Sequence, residues 1–198
     1  MSGENKISIL LKEGEDWREN ACLNFQADHT DGYVWGYKEA ADHLAVYASE
    51  SNKQDLFIYP MMFLYRHYLE LRFKAIISRG KELIGENGSF PRTHKLLDLW
   101  SQSKIILGKI WKQGVAAEFE LIENIVKDFE EIDPYAEAFR YPMSTAGNKY
   151  LVGVKHINIE VVAHSIGEAA EFLDGAYEGI LEYLEADRAS EYEAYSNS

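Results

Sequence analysis

The chain has 198 residues, 46% of them hydrophobic, enough for one globular core and with nothing that requires a second domain. The net charge of −13 argues against a broad nucleic-acid-binding surface, yet residues 61–115 carry 10 Lys+Arg against 4 Asp+Glu, a basic block between two acidic ones. No run of about 18 apolar residues occurs. The polar start Met1-Ser-Gly-Glu-Asn-Lys6 lacks the apolar stretch of a signal peptide, so the expectation is a cytoplasmic protein with no membrane association.

Residues 1–29 show no sustained period and read as an N-terminal arm packed on the body, with Ile7-Ser-Ile-Leu-Leu11 as a short strand or apolar stretch. The lone Cys22 excludes an internal disulfide and reads as a small buried hydrophobe. Thr30 or Asp31 is placed to cap a helix whose apolar residues, from Tyr33 through Ala41 and Leu44 to Tyr47, recur at three and four up to about Ser51. A second helix begins at about Leu56 or Tyr59, with Pro60 at its opening, and runs to about Arg79. Glycines at 80, 85 and 88 and Pro91 mark the connection, Thr93 caps a third helix with Leu96, Leu99 and Trp100 in its first turns, and a fourth runs from Val115 to Ile132 before Asp133-Pro134 stops it. Near 138–157 the pattern turns irregular or hairpin-like. Asn158 then caps a last helix to about Ala186, with its acidic residues on the outer face, and residues 188–198 form an acidic tail expected to fray. The whole is an all-α antiparallel bundle of about five helices, with residues 30–187 as the domain.

The helix from Pro60 is the unusual one. At 100° per residue Arg66, His67, Glu70 and Lys74 share an arc of roughly 100°, while apolar residues fill most of the rest. Such a helix belongs at the centre of a fold, packed on at least two sides. Only Arg72 interrupts its apolar arc. The four-residue spacings let Glu70 pair with both Arg66 and Lys74, which gives two readings of the group. One is a closed ionic seam in which Glu70 pairs the cations structurally. The other is an anion pocket, with Lys74, Arg140 and Tyr141 binding a phosphate and Arg66, His67 and His94 supplying catalysis through proton exchange near neutral pH. Metal binding is not expected: His67 and Glu70 lack a second such motif and have Arg66 and Lys74 beside them. No phosphate-binding glycine loop is present and no cofactor is implied.

Gly36-Tyr-Lys-Glu-Ala-Ala41, Phe63-Leu-Tyr-Arg-His67 with Glu70-Leu-Arg-Phe-Lys74, His94-Lys-Leu-Leu-Asp-Leu-Trp100 and Phe139-Arg-Tyr-Pro142 together resemble the HEPN class of prokaryotic helical domains over roughly residues 30–186. The resemblance implies a toxin–antitoxin or antiphage defence setting and an RNA or nucleotide ligand. HEPN ribonucleases carry an Arg followed, after four to six residues, by a His near the end of the domain. No histidine here stands five to seven places after an arginine, so nuclease activity does not carry over with the resemblance. The alternative is a non-catalytic HEPN-like partner or regulatory protein with an acidic interaction surface. A homodimer is expected in either case, from the aromatic load of Tyr33, Trp35, Tyr37, Trp100, Trp111 and Tyr177.

Overall fold

The computed structural model describes residue 10 and residues 13–23, 29–112 and 115–196. Five α-helices, α1 (Thr30–Ser51), α2 (Gln54–Leu83), α3 (Leu96–Ile110), α4 (Ala116–Ile132) and α5 (Ile159–Ser196), form an all-α bundle, with one short 3-10 turn at Trp17–Glu19. No strand occurs among the described residues.

The centre is α2, which packs on α1, α3 and α5, while α4 closes the bundle against α3 and α5. Its wide apolar arc explains this: Met61, Tyr65, Tyr68, Leu69, Phe73, Ile76 and Ile77 are all fully buried. Asn52, in the left-handed conformation (φ 55°, ψ 40°), turns the chain from α1 to α2. The Lys53 N–H then reaches back to the Ala48 carbonyl at 3.0 Å, a bond that satisfies a free helix-end acceptor.

Two expectations about the limits of α2, Pro60 as its opening residue and an end at about Arg79, are corrected, while the alternative start at about Leu56 lies two residues from the observed one. The helix starts before Pro60, at Gln54, because the Lys53 carbonyl accepts the Leu56 and Phe57 N–H groups at 3.1 and 3.2 Å. The Phe57 ring also meets Tyr47 of α1 edge-on at 5.3 Å, which anchors the added turn. At the other end the helix passes through Gly80 to Leu83, and it is Gly85, at φ +74°, that follows its end. Gly80 serves instead as a contact point: a Cβ there would lie 2.4 Å from Ile106 Cγ2, so only glycine lets α3 come so close.

Thr93 does not cap α3. Its hydroxyl accepts the Lys95 N–H at 3.2 Å in the turn just before, and the helix begins at Leu96 and runs unbroken to Ile110. The segment 138–157 is irregular, with a single bridge between Met143 and Lys149 and a tight turn in which Ser144 N–H donates to the Asn148 carbonyl at 2.8 Å. Asn158 Oδ1 accepts the Val161 N–H at 3.1 Å, capping α5 as its sequence suggests. That helix continues past Ala186 through the acidic tail to Ser196, since no glycine or proline follows Gly179 to stop it.

The described part of the arm is exposed rather than packed on the body: Leu10, Trp17 and Leu23 all face solvent. Cys22 is likewise exposed, not buried. The stretch Ile7–Leu11 lies, except for Leu10, outside the described residues. Trp100 and Tyr177 are absorbed into the core, whereas Tyr33 and Trp35 stay exposed on α1.

Candidate functional site

Along one stripe of α2, Phe63, His67, Glu70 and Lys74 follow one another over 12 residues, roughly 16 Å of helix. Other segments cover each of them. The Arg140 guanidinium stands 5.8 Å over the Phe63 ring, Tyr37 meets His67 edge-on at 4.4 Å, His94 contacts Glu70, and the Phe90 ring lies 5.7 Å from Lys74 Nζ.

The charges beneath this cover are closed in on themselves. Arg66, Glu70 and Lys74 are each at most 5% exposed. Glu70 Oε1 accepts from Lys74 Nζ at 2.9 Å and from His94 Nδ1 at 2.7 Å, while its Oε2 lies 3.5 Å from Arg66 Nη1. Arg66 also donates from Nη2 to the His94 carbonyl at 3.2 Å and stands 3.7 Å from Asp133 Oδ2. Asp133, itself buried, accepts the Glu137 and Ala138 N–H groups at 2.7 and 2.8 Å through Oδ1. Two buried cations thus face two buried carboxylates, and the group joins α2 to the segment before α3 and to the end of α4. A cluster so balanced has little charge left for an outside phosphate.

Burial alone would raise the Glu70 carboxyl, but the hydrogen bonds from Lys74 and His94 outweigh it and hold the group below its ordinary value. Glu70 is therefore ionised near neutral pH and can only accept. It follows that His94 Nδ1 carries the hydrogen in this contact, leaving Nε2 as the outer nitrogen. The two side chains differ sharply in exposure, Glu70 at 4% and His94 at 74%. The pair is a buried carboxylate orienting an exposed imidazole.

His67 is elsewhere in character. Its ring stacks on Phe63 at 5.9 Å and 8°, and burial, opposed by Glu70, pushes it below its ordinary value. It sits as a neutral ring among aromatics. Arg140 does not reach the Glu70 cluster: its Nε donates to the Ala136 carbonyl at 2.6 Å, and its guanidinium lies 5.1 Å over Tyr141. Arg140 and Tyr141 instead line a cleft of about 620 Å³ between the first turns of α2 and the 138–157 segment. The structure therefore gathers Arg66, Glu70, Lys74 and His94, and sets His67, Arg140 and Tyr141 beside them.

Two acidic residues of consequence escape the sequence reading. Asp133 reads there as a helix stop, and Asp174 as one of the outer-face acids of α5. Asp174 is in fact buried, 2.7 Å from Arg72 Nε and hydrogen-bonded by Tyr68 Oη at 2.9 Å. The Arg72 Nε–H is close to Asp174 but poorly aligned, so this contact is an ion pair rather than a hydrogen bond. Arg72 is also enclosed by the rings of Tyr177 at 4.6 Å and Trp35 at 5.7 Å. The signal for the pair was available: one opposite charge on each of two apolar helix faces that had to pack together.

Among the described residues, no group of three or more His, Cys, Asp or Glu side chains could hold a metal ion, and no helix is long and apolar enough to cross a membrane. No protein-family model, curated protein or solved structure matches the chain.

Proposed function

We propose that this chain is a HEPN-like module that binds RNA or a nucleotide, in a prokaryotic defence or toxin–antitoxin setting, and that His94 rather than His67 is its proton-transfer group. The observation that carries the reading is the 2.7 Å contact between the buried Glu70 carboxylate and the exposed His94 imidazole. An imidazole held in this way keeps one tautomer and one orientation, and its bare Nε2 can take a proton from a ligand hydroxyl. In RNA cleavage that proton would come from a 2′-hydroxyl, whose oxygen attacks the adjacent phosphorus as the next nucleotide's 5′-oxygen leaves and takes a proton from water to become a 5′-hydroxyl. The chemistry needs no metal. Arg66 and Lys74, neutralised by Glu70 and Asp133, act from beneath by fixing the cluster, while Arg140 and Tyr141 are the exposed groups for a phosphate and a base.

A second reading, a non-catalytic HEPN-like dimerising or regulatory partner, is favoured by the closed, charge-balanced seam and by the exposed Tyr33, Trp35, Val46 and Tyr47 on α1. End-labelled RNA incubated with the wild type and with His94→Gln separates the two. The first reading expects products from the wild type alone, ending in 2′,3′-cyclic phosphates, with both proteins equally folded. Intact RNA with the wild type, together with failure to bind it, leaves the second.

A further inference from the structure

We propose that the cleft between the first turns of α2 and the 138–157 segment is a binding site for a small molecule that joins a flat ring to a carboxylate or phosphate. Its volume of about 620 Å³ is that of a small-ligand site. Buried Phe139 and half-buried Ile58 and Leu151 offer an apolar floor, and the exposed rings of Tyr59 and Tyr141 stand at its mouth.

Charge decides which end of a ligand goes where. Arg140, Lys155 and His156 all lie on the 138–157 wall, and none of them has a carboxylate within ion-pairing distance among the described residues. In a chain with 33 Asp+Glu against 20 Lys+Arg, Arg140 and Lys155, left unpaired beside one cleft, are charges available to an anion, with the His156 ring beside them as a further hydrogen-bonding group. Asp55 stands on the opposite wall, where it repels an anion and accepts from an N–H or O–H on the ring. The acid group of the ligand therefore points toward Arg140 and Lys155, and the ring lies between the tyrosines.

The cationic wall is also held in place before any ligand arrives. Arg140 is fixed by its bond to the Ala136 carbonyl, at 2.6 Å. Leu151 takes a φ of +55°, followed by Gly153 at +91°. A branched residue occupies that left-handed region only when its surroundings impose it, and such positions concentrate where a loop must keep a set shape for a ligand.

The site shares Arg140 and Tyr141 with the function proposed above, and rests on that reading only for its phosphate-bearing ligand. The test is calorimetric titration of the full chain with adenosine monophosphate, 4-hydroxybenzoate and inorganic phosphate. We expect a ring-bearing anion to bind one to one and more tightly than inorganic phosphate. Lys155→Gln should weaken that binding about tenfold, the loss of one charge-assisted contact, and Tyr59→Ala should weaken it as well. The distant Lys104→Gln should not change it. Both Lys155 and Tyr59 are exposed, so their variants should fold, which circular dichroism checks. Binding of 4-hydroxybenzoate alone keeps the cleft and removes the nucleotide from the proposed function. Adenosine monophosphate binding that His94→Gln abolishes and Lys155→Gln leaves intact overturns the cleft and keeps that function. Failure of both ring-bearing ligands to bind at millimolar concentration overturns the cleft outright.

Discussion

Replacing Glu70 by Gln removes one negative charge from a buried group that holds two cations. Lys74 Nζ at 2.9 Å, His94 Nδ1 at 2.7 Å and Arg66 Nη1 at 3.5 Å all face that carboxylate, so the change leaves Lys74 without its counter-ion and Arg66 with only Asp133, 3.7 Å away. Breaking a buried ion pair from one side costs about 3–5 kcal/mol, and the retained amide oxygen argues for the lower end, about 3 kcal/mol. With a urea m-value of about 2 kcal/mol/M, the midpoint should fall by about 1.5 M at neutral pH with m unchanged. The pH dependence has a fixed sign. Because the folded state holds the Glu70 carboxyl below its ordinary 4.5, its stabilisation is fully present above that pH and fades as pH falls through the folded value. The gap between wild type and variant should therefore shrink on acidification below pH 4.5. A loss under about 1 kcal/mol at neutral pH, or a gap that stays constant into acid, would refute the closed seam.

Lys74→Ala should lower stability by a similar amount, about 3 kcal/mol, since the side chain is buried on Glu70; an unchanged thermal midpoint would return Lys74 to the surface as a ligand contact. Gly80→Ala should destabilise by up to about 2 kcal/mol net, because overpacking against Ile106, at the upper end of about 1–3 kcal/mol, exceeds the gain in helix propensity of about 1 kcal/mol. Combining it with Ile106→Ala should cost less than the sum of the two, as measured in urea. The chain should run as a homodimer through the exposed aromatic side of α1, and a monomer mass by light scattering at micromolar concentration would contradict this.

Periodicity made the bundle legible: the five helices, the central place of α2 and the Asn158 cap all follow from spacing and from turn residues. The ends of α2 were less so, because they depend on partners in space. Pro60 opens a helix when nothing precedes it, but here Phe57 packs on Tyr47 and adds a turn. Gly80 ends a helix in isolation, but the neighbouring α3 makes it a contact point instead. In the candidate site, the one-face spacing of Arg66, Glu70 and Lys74 was visible, whereas their closure was not. Closure requires Asp133 and His94, which come from segments far along the chain. The separation of His67 from His94 was hidden for the same reason, since their exposures are set by Tyr37, Phe63 and the segment before α3 rather than by local sequence.

The proposed function is tested most directly by titrating a labelled single-stranded RNA with the wild type and following anisotropy across a range of salt. Arg140 and Lys155 line the cleft and have no carboxylate partner among the described residues, so saturable binding is expected at low salt. Its logarithm should fall against log salt with a slope of about −1.4, the value for two phosphate contacts on a single strand. No saturation at low salt, or an affinity that salt leaves unchanged, would contradict RNA handling by this chain.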